Sequence, residues 1–403
     1  MRWNPCTRRH RGSYPEASMA DPTATTATAG KSCSPDRIPG LDGLRALAAL
    51  GVTIGHSTKM PGFPGPAALV EAVDIWRGLS VPLFFVLSGF LITALMVGEE
   101  HGNGSVSLPR FYARRALRIL PASLVFLLGM AVVNRLAGLH VRGMDFLAAG
   151  FWFRNLYDHP WSMTGVDAYA KIRHYTAHFW SLSVEEHFYL VWPALFVWLG
   201  RGKRFGPLLA LLAILPVWRV CNMYRFGVGG MNHWRTDLIA DYILCGALLA
   251  VARDRWGMER IRTWVGWAGL PCLGLLLALE LVGIHGPSTG PVWRVLTVTR
   301  ISVECLGLVC VVAWAAAGGG SRLHRALEHP VLRWLGQISF SLYLWQQPFS
   351  GELLPAVFQT FPWNLGWSLA AATTSHYLVE RPFLRMRSRF RHAAAPAETS
   401  VAQ

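Results

Sequence analysis

Three short stretches of this chain set ionisable side chains into or against apolar, helix-forming sequence. The first is residues 40–57, GLDGLRALAALGVTIGHS. Arg45 and His56 are eleven residues apart, which on a helix is about 1100°, or three turns plus about 20°. Both therefore lie on one face, separated by about 16 Å along the axis. Asp42 stands three residues before Arg45 and is placed to pair with it. A cation at one end of a face and a titratable imidazole further along suit an anionic ligand anchored at the first and reacting at the second. The alternative is that Arg45 snorkels to lipid headgroups and His56 closes the far end of the helix.

The second stretch, RFYARRALRILP at 110–121, carries Arg114, Arg115 and Arg118 within about one turn. Clustered guanidiniums bind phosphate groups bidentately; the competing role is a positive anchor beside a membrane span. The third, HFWSLSVEEHFYLVWPAL at 178–195, opens an apolar helix with Glu185, Glu186 and two histidines. The adjacent carboxylates point about 100° apart, so one at most faces a given site, where it can orient an imidazole. His174 and His178 have the i, i+4 spacing of metal ligands, but no third ligand follows at a suitable spacing, so no metal is expected.

These groups must be positioned by membrane helices. Apolar residues make up 52% of the 403 and charged residues 15%, against about a quarter charged in soluble chains. Continuous apolar runs, rather than alternating ones, point to an all-α, polytopic transmembrane bundle and not a barrel. Ten spans are expected: 40–58, 79–98, 119–138, 180–200, 206–222, 237–252, 264–284, 298–317, 336–354 and 364–380. Pro82, Ser88 and Gly89 interrupt the second, where small residues permit close helix packing. Glu380 beside Arg381 reads as a boundary feature.

Placing both termini and alternate loops on one side puts 25 of the 38 Lys and Arg there, so that side is the cytoplasmic one. The net charge of +15 is thereby explained without nucleic acid. The apolar segment 144–157 is short and holds Arg154, and as an eleventh span it would invert every later basic loop. It is read as a re-entrant or interfacial piece of a long outer loop, 139–179. Residues 1–37 read as a disordered cytoplasmic tail, 38–387 as the membrane domain and 388–403 as a second disordered tail. The basic start lacks the apolar core of a signal peptide, and Met19 is a second candidate start. The seven cysteines form no CxxC pair and read as small core residues.

Taken in order, the motifs of residues 38–387 resemble the bacterial acyltransferase 3 family of membrane-bound acyltransferases. LDGLRALAAL…GH resembles its first helix, with Arg45 and His56 at the family's arginine–histidine spacing. VPLFFVLSGFLI, FYARRALRILP, WSLSVEEHFYLVWPAL, ADYILCGALLA, GQISFSLYLWQQP and YLVERPF resemble the motifs that follow, matching Trp180, Ser181, Leu182, Glu185, Asp241 and Gly246. There are departures. The family often has Gln where His187 stands, His where Gln346 stands, and Arg where Ile239 stands, with Arg235 a substitute one turn away.

The resemblance implies transfer of an acyl group, commonly acetyl, from coenzyme A to a hydroxyl of a carbohydrate or glycolipid, in the bacterial cytoplasmic (inner) membrane. It implies no permanently bound cofactor. Arg45, Arg114, Arg115 and Arg118 would hold the donor's phosphates. His56 would act as general base, or as an acyl carrier, with Glu185 orienting it or stabilising charge. Trp180, Ser181 and Asp241 would contact substrate, and Trp152, Trp161 and Tyr169 of the outer loop would stack on sugars. A small secondary metabolite is the alternative acceptor. A transporter or flippase of glycan intermediates is the competing class, though it needs neither a thioester donor nor the ordered Arg/His pair.

Overall fold

The structure, a computed structural model, describes residues 38–138, 141–157, 175–226, 234–285, 290–351 and 354–387. The expected tails at 1–37 and 388–403, Met19, and Trp161, Tyr169 and His174 of the outer loop lie outside the described residues. Among the described residues all regular structure is helical. The helices are α1 (Leu41–Ser57), α2 (Ala67–Asn103), α3 (Leu108–Ala137), α4 (Gly143–Gly150), α5 (Phe179–Leu199), α6 (Phe205–Phe226), α7 (Asp241–Trp256), α8 (Met258–His285) and α9 (Gly290–Ala317). Shorter pieces follow: α10 (Arg322–Leu327), α11 (Pro330–Gln337), α12 (Ser339–Trp345), α13 (Trp363–Ser375) and α14 (Arg381–Arg387). Among the described residues four helices, α2, α3, α6 and the Thr299–Ala317 part of α9, are long and apolar enough to cross a membrane.

Three expected boundaries move. The basic residues of the expected loop 99–118 are helical, because α2 runs to Asn103 and α3 starts at Leu108 with a proline in its first turn, where a missing N–H costs nothing. The arginine cluster is thus held on a rigid helix. The expected span 336–354 is not one helix. The chain breaks at Ile338 (ψ 2°) between α11 and α12, and after Trp345 it tightens into a 3-10 turn at Gln347–Ser350. Pro348 has no N–H for an α-helical bond and disfavours helix in the residue before it. Glu380 is no boundary residue. It is buried, closing a π-helical turn (His376–Glu380) between α13 and α14. It accepts the Ser341 hydroxyl and lies 3.2 Å from His376 Nδ1. The segment 144–157 holds only α4, about 12 Å long, followed by turns.

α1 is surrounded. Leu41, Gly43, Leu44, Ala46 and Ala49 are buried on different sides of it, as an apolar helix without a solvent face must be. It packs on α2, α11 and α12. α2 crosses α7 at a pair of glycines. A Cβ on Gly89 would collide with the Ile243 carbonyl, and one on Gly246 with the Val86 carbonyl. Only glycine lets the two backbones touch there. That contact fixes the distance between the helices carrying Ser88 and Asp241.

Candidate active site

A cavity of about 1810 Å³ opens between α1, α2, α3, α5, α7 and α12. Along α2 its lining runs from Asn103 to Val81, a length of about 30 Å. Arg45, Arg110, Arg114, Arg115, Arg118 and Arg253 line it, against the carboxylates Asp42, Glu99, Glu185 and Asp254. Carboxylates and cations alternate at its mouth. Glu99 pairs with Arg114 at 2.6 Å and Asp254 with His101 at 2.7 Å. Arg118 lies within electrostatic reach of both Arg45 and Arg115. Arg115 sits over the Tyr189 ring, 4.9 Å from its centre. Such a group repels itself in a low-dielectric setting, and an anion relieves the repulsion.

Further in, Arg45 donates to the Ser339 hydroxyl from Nε (3.3 Å) and a terminal nitrogen (3.1 Å). Glu185 faces the cavity and Glu186 does not, as their angular offset requires. Glu185 accepts from Ser88 at 2.8 Å and from Tyr189 at 3.3 Å. The inner end of the lining is Ser181, Phe84 and Tyr343. The Ser181 and Tyr343 hydroxyls bond each other, and both reach the His178 carbonyl (3.0 and 3.2 Å).

His56 stands beyond that layer and does not line the cavity. Its Nδ1 is 2.8 Å from Gln346 Oε1. The structure thus brings Arg45, Arg114, Arg115, Arg118, Ser181 and Glu185 to one cavity and sets His56 just past its end. Glu185 does not orient His56; Gln346 occupies that position, because α12 lies nearer this face of α1 than α5 does.

Two expected substrate contacts lie elsewhere. Trp180 packs on Trp234 at 4.0 Å and edge-on to Phe85. Asp241 is buried and pairs with Arg219 of α6 at 2.6 Å. Arg235, the expected substitute partner, pairs instead with Asp237 at 2.8 Å. His187 bonds Thr236 at 2.7 Å. Trp152 stacks on Phe179. Among the described residues no group of His, Cys, Asp and Glu could hold a metal ion.

Sequence reasoning noted Gln346 only as a departure from the family's histidine, and did not single out Ser339, Tyr343 or Arg219. The first three share the polar periodicity of SFSLYLWQ, which was visible. Arg219 stood alone in an apolar run, with no spacing to tie it to Asp241.

A family model described as an acyltransferase domain matches residues 38–377. The chain is 27% identical over 369 residues to the peptidoglycan O-acetyltransferase OatA of Listeria monocytogenes, covering 86% of this chain and 54% of that protein. It is 26% identical over 334 residues to the O-acetyltransferase OatA of Staphylococcus aureus strain NCTC 8325, covering 79% and 51%. A putative O-acetyltransferase of S. aureus strain COL is 27% identical over 323 residues, covering 76% and 50%. The chain spans about half the length of these curated relatives. No solved structure matches it.

Proposed function

This chain belongs to the acyltransferase domain family, and on that premise we propose that it is an integral-membrane O-acyltransferase. It takes an acyl group, acetyl in the first instance, from acyl-CoA and passes it to a hydroxyl of a carbohydrate, glycolipid or surface polysaccharide. The observation that carries this reading is the long cavity with arginines along its walls, ending one side-chain layer short of a histidine. A phosphate-bearing donor with a thin thioester arm has that shape and charge. Two relatives of the same length class of match are named O-acetyltransferases, which supports acetyl as the group moved.

In this reading the protein crosses the bacterial inner membrane about ten times, with both termini and the cavity mouth cytoplasmic. Arg45, Arg115 and Arg118 bind the donor's phosphates, with Arg114 held at the mouth by Glu99. Glu185 balances the buried guanidiniums and fixes Ser88 and Tyr189. The arm reaches His56 past Phe84 and Tyr343, which line the cavity. His56 Nε2 takes the proton of the acceptor hydroxyl as its oxygen attacks the thioester carbonyl. The C–S bond breaks, the ester forms, and the CoA thiolate leaves and takes up the proton from His56.

The test uses purified protein in nanodiscs with acetyl-CoA labelled in the acetyl group and a bacterial cell-envelope fraction as acceptor. Label should move to the envelope fraction or to water, and His56→Ala should lower the rate by about 10²- to 10⁴-fold, the range of general-base catalysis. If His56→Ala folds and transfers label at the wild-type rate, or wild type neither binds nor consumes acetyl-CoA, the reading fails.

A further inference from the structure

Residues 339–346 hold several of the site's polar groups from one short piece of chain. Ser339 receives Arg45 and Tyr343 bonds Ser181. Gln346, three residues past the cavity's end, meets His56. Gln346 is fully buried, so water does not compete for its amide. Its orientation follows from its neighbours. Nε2 lies 3.5 Å from the Tyr343 carbonyl and 3.0 Å from Gln347 Oε1. A carbonyl only accepts, so the nitrogen end must face it. Oε1 therefore faces His56, while the Ser350 hydroxyl donates to the Gln346 backbone carbonyl at 2.8 Å and lies 3.2 Å from Oε1. Because Oε1 only accepts, His56 Nδ1 must carry the hydrogen. A neutral imidazole protonated at Nδ1 has its lone pair on Nε2.

We infer that Gln346 is the positioning residue of the reaction: it holds the neutral His56 as the Nδ1–H tautomer and so makes Nε2 the base. This inference rests on the proposed role of His56. It assigns to an amide the orienting task that a carboxylate performs in many catalytic sites. The charged groups around His56 are Lys59 and the Asp74–Arg77 pair of α2. The 3-10 turn brings the Ser350 hydroxyl back onto the Gln346 backbone carbonyl.

The test compares Gln346→Met with Gln346→Glu in the labelled acetyl-CoA assay, with thermal unfolding measured alongside. Methionine keeps the volume and shape but has no comparable acceptor. Glutamate keeps an oxygen at the Oε1 position, and the Gln347 amide can turn to meet the other. Positioning predicts that Gln346→Met lowers kcat about 10- to 100-fold with the acetyl-CoA KM within twofold, and that Gln346→Glu recovers most of it. A packing role predicts the reverse, with methionine tolerated and the new charge damaging. That reverse order, in folded variants, overturns the inference. His56→Ala separates the two proposals. If it is inactive while Gln346→Met is fully active, only the positioning role falls; if it is active, the base role falls with it.

Discussion

Replacing Asp241 by alanine should damage the fold and spare donor binding. Its carboxylate pairs with Arg219 at 2.6 Å, and the two side chains are 3% and 1% exposed. Arg219 also donates to the Leu238 carbonyl at 2.9 Å and to Ser302 at 3.3 Å, so it stays in place when its counter-charge is removed. Removing one partner of a buried pair costs about 3–5 kcal/mol, because an uncompensated charge remains. At roughly 2 °C per kcal/mol, the low end of the range for larger chains, the unfolding midpoint should fall by about 6–10 °C. The double replacement Asp241→Leu with Arg219→Met removes both charges at similar volume, and should restore most of that loss. The assay is thermal unfolding in nanodiscs followed by tryptophan fluorescence, with the acetyl-CoA and acceptor KM values measured well below the midpoint. An unchanged midpoint together with a raised acceptor KM would refute the reasoning and return Asp241 to substrate binding.

Arg118→Ala should raise the acetyl-CoA KM about 10- to 100-fold, the worth of one charged hydrogen bond of about 1.5–3 kcal/mol. It should leave the midpoint unchanged or higher, since Arg45 and Arg115 lose a like-charged neighbour; an unaltered KM in saturation kinetics would contradict the phosphate role. Gly246→Ala should sharply reduce the yield of folded, monodisperse protein, because its Cβ would meet the Val86 carbonyl. Gly266→Ala, on α8 with no atom within 4 Å of the added Cβ, should instead be neutral or stabilising by about 0.5–1 kcal/mol. Equal yields from the two would show that the α2–α7 backbones need not touch.

Much of the molecule's character is local, and so was legible in the linear chain. Apolar run length and the one-sided distribution of arginine depend only on composition and order. They pointed to a helical membrane domain, and the Arg45–His56 spacing followed from the pitch of a single helix. Gly89 was readable as a point of close packing because a missing side chain has few other uses. Partners across helices were not legible. The i, i+4 spacing puts Tyr189 beside Glu185, but nothing in the sequence showed that Ser88 rather than His56 would meet that carboxylate from another helix, nor that Arg219 would neutralise Asp241. Those pairings depend on the rotation of each helix about its axis, which is set by packing against several others at once. The tertiary structure alone placed Gln346 on His56, because the approach of two residues 290 positions apart is decided by the bundle and by the break before Pro348, and by no property of either segment alone.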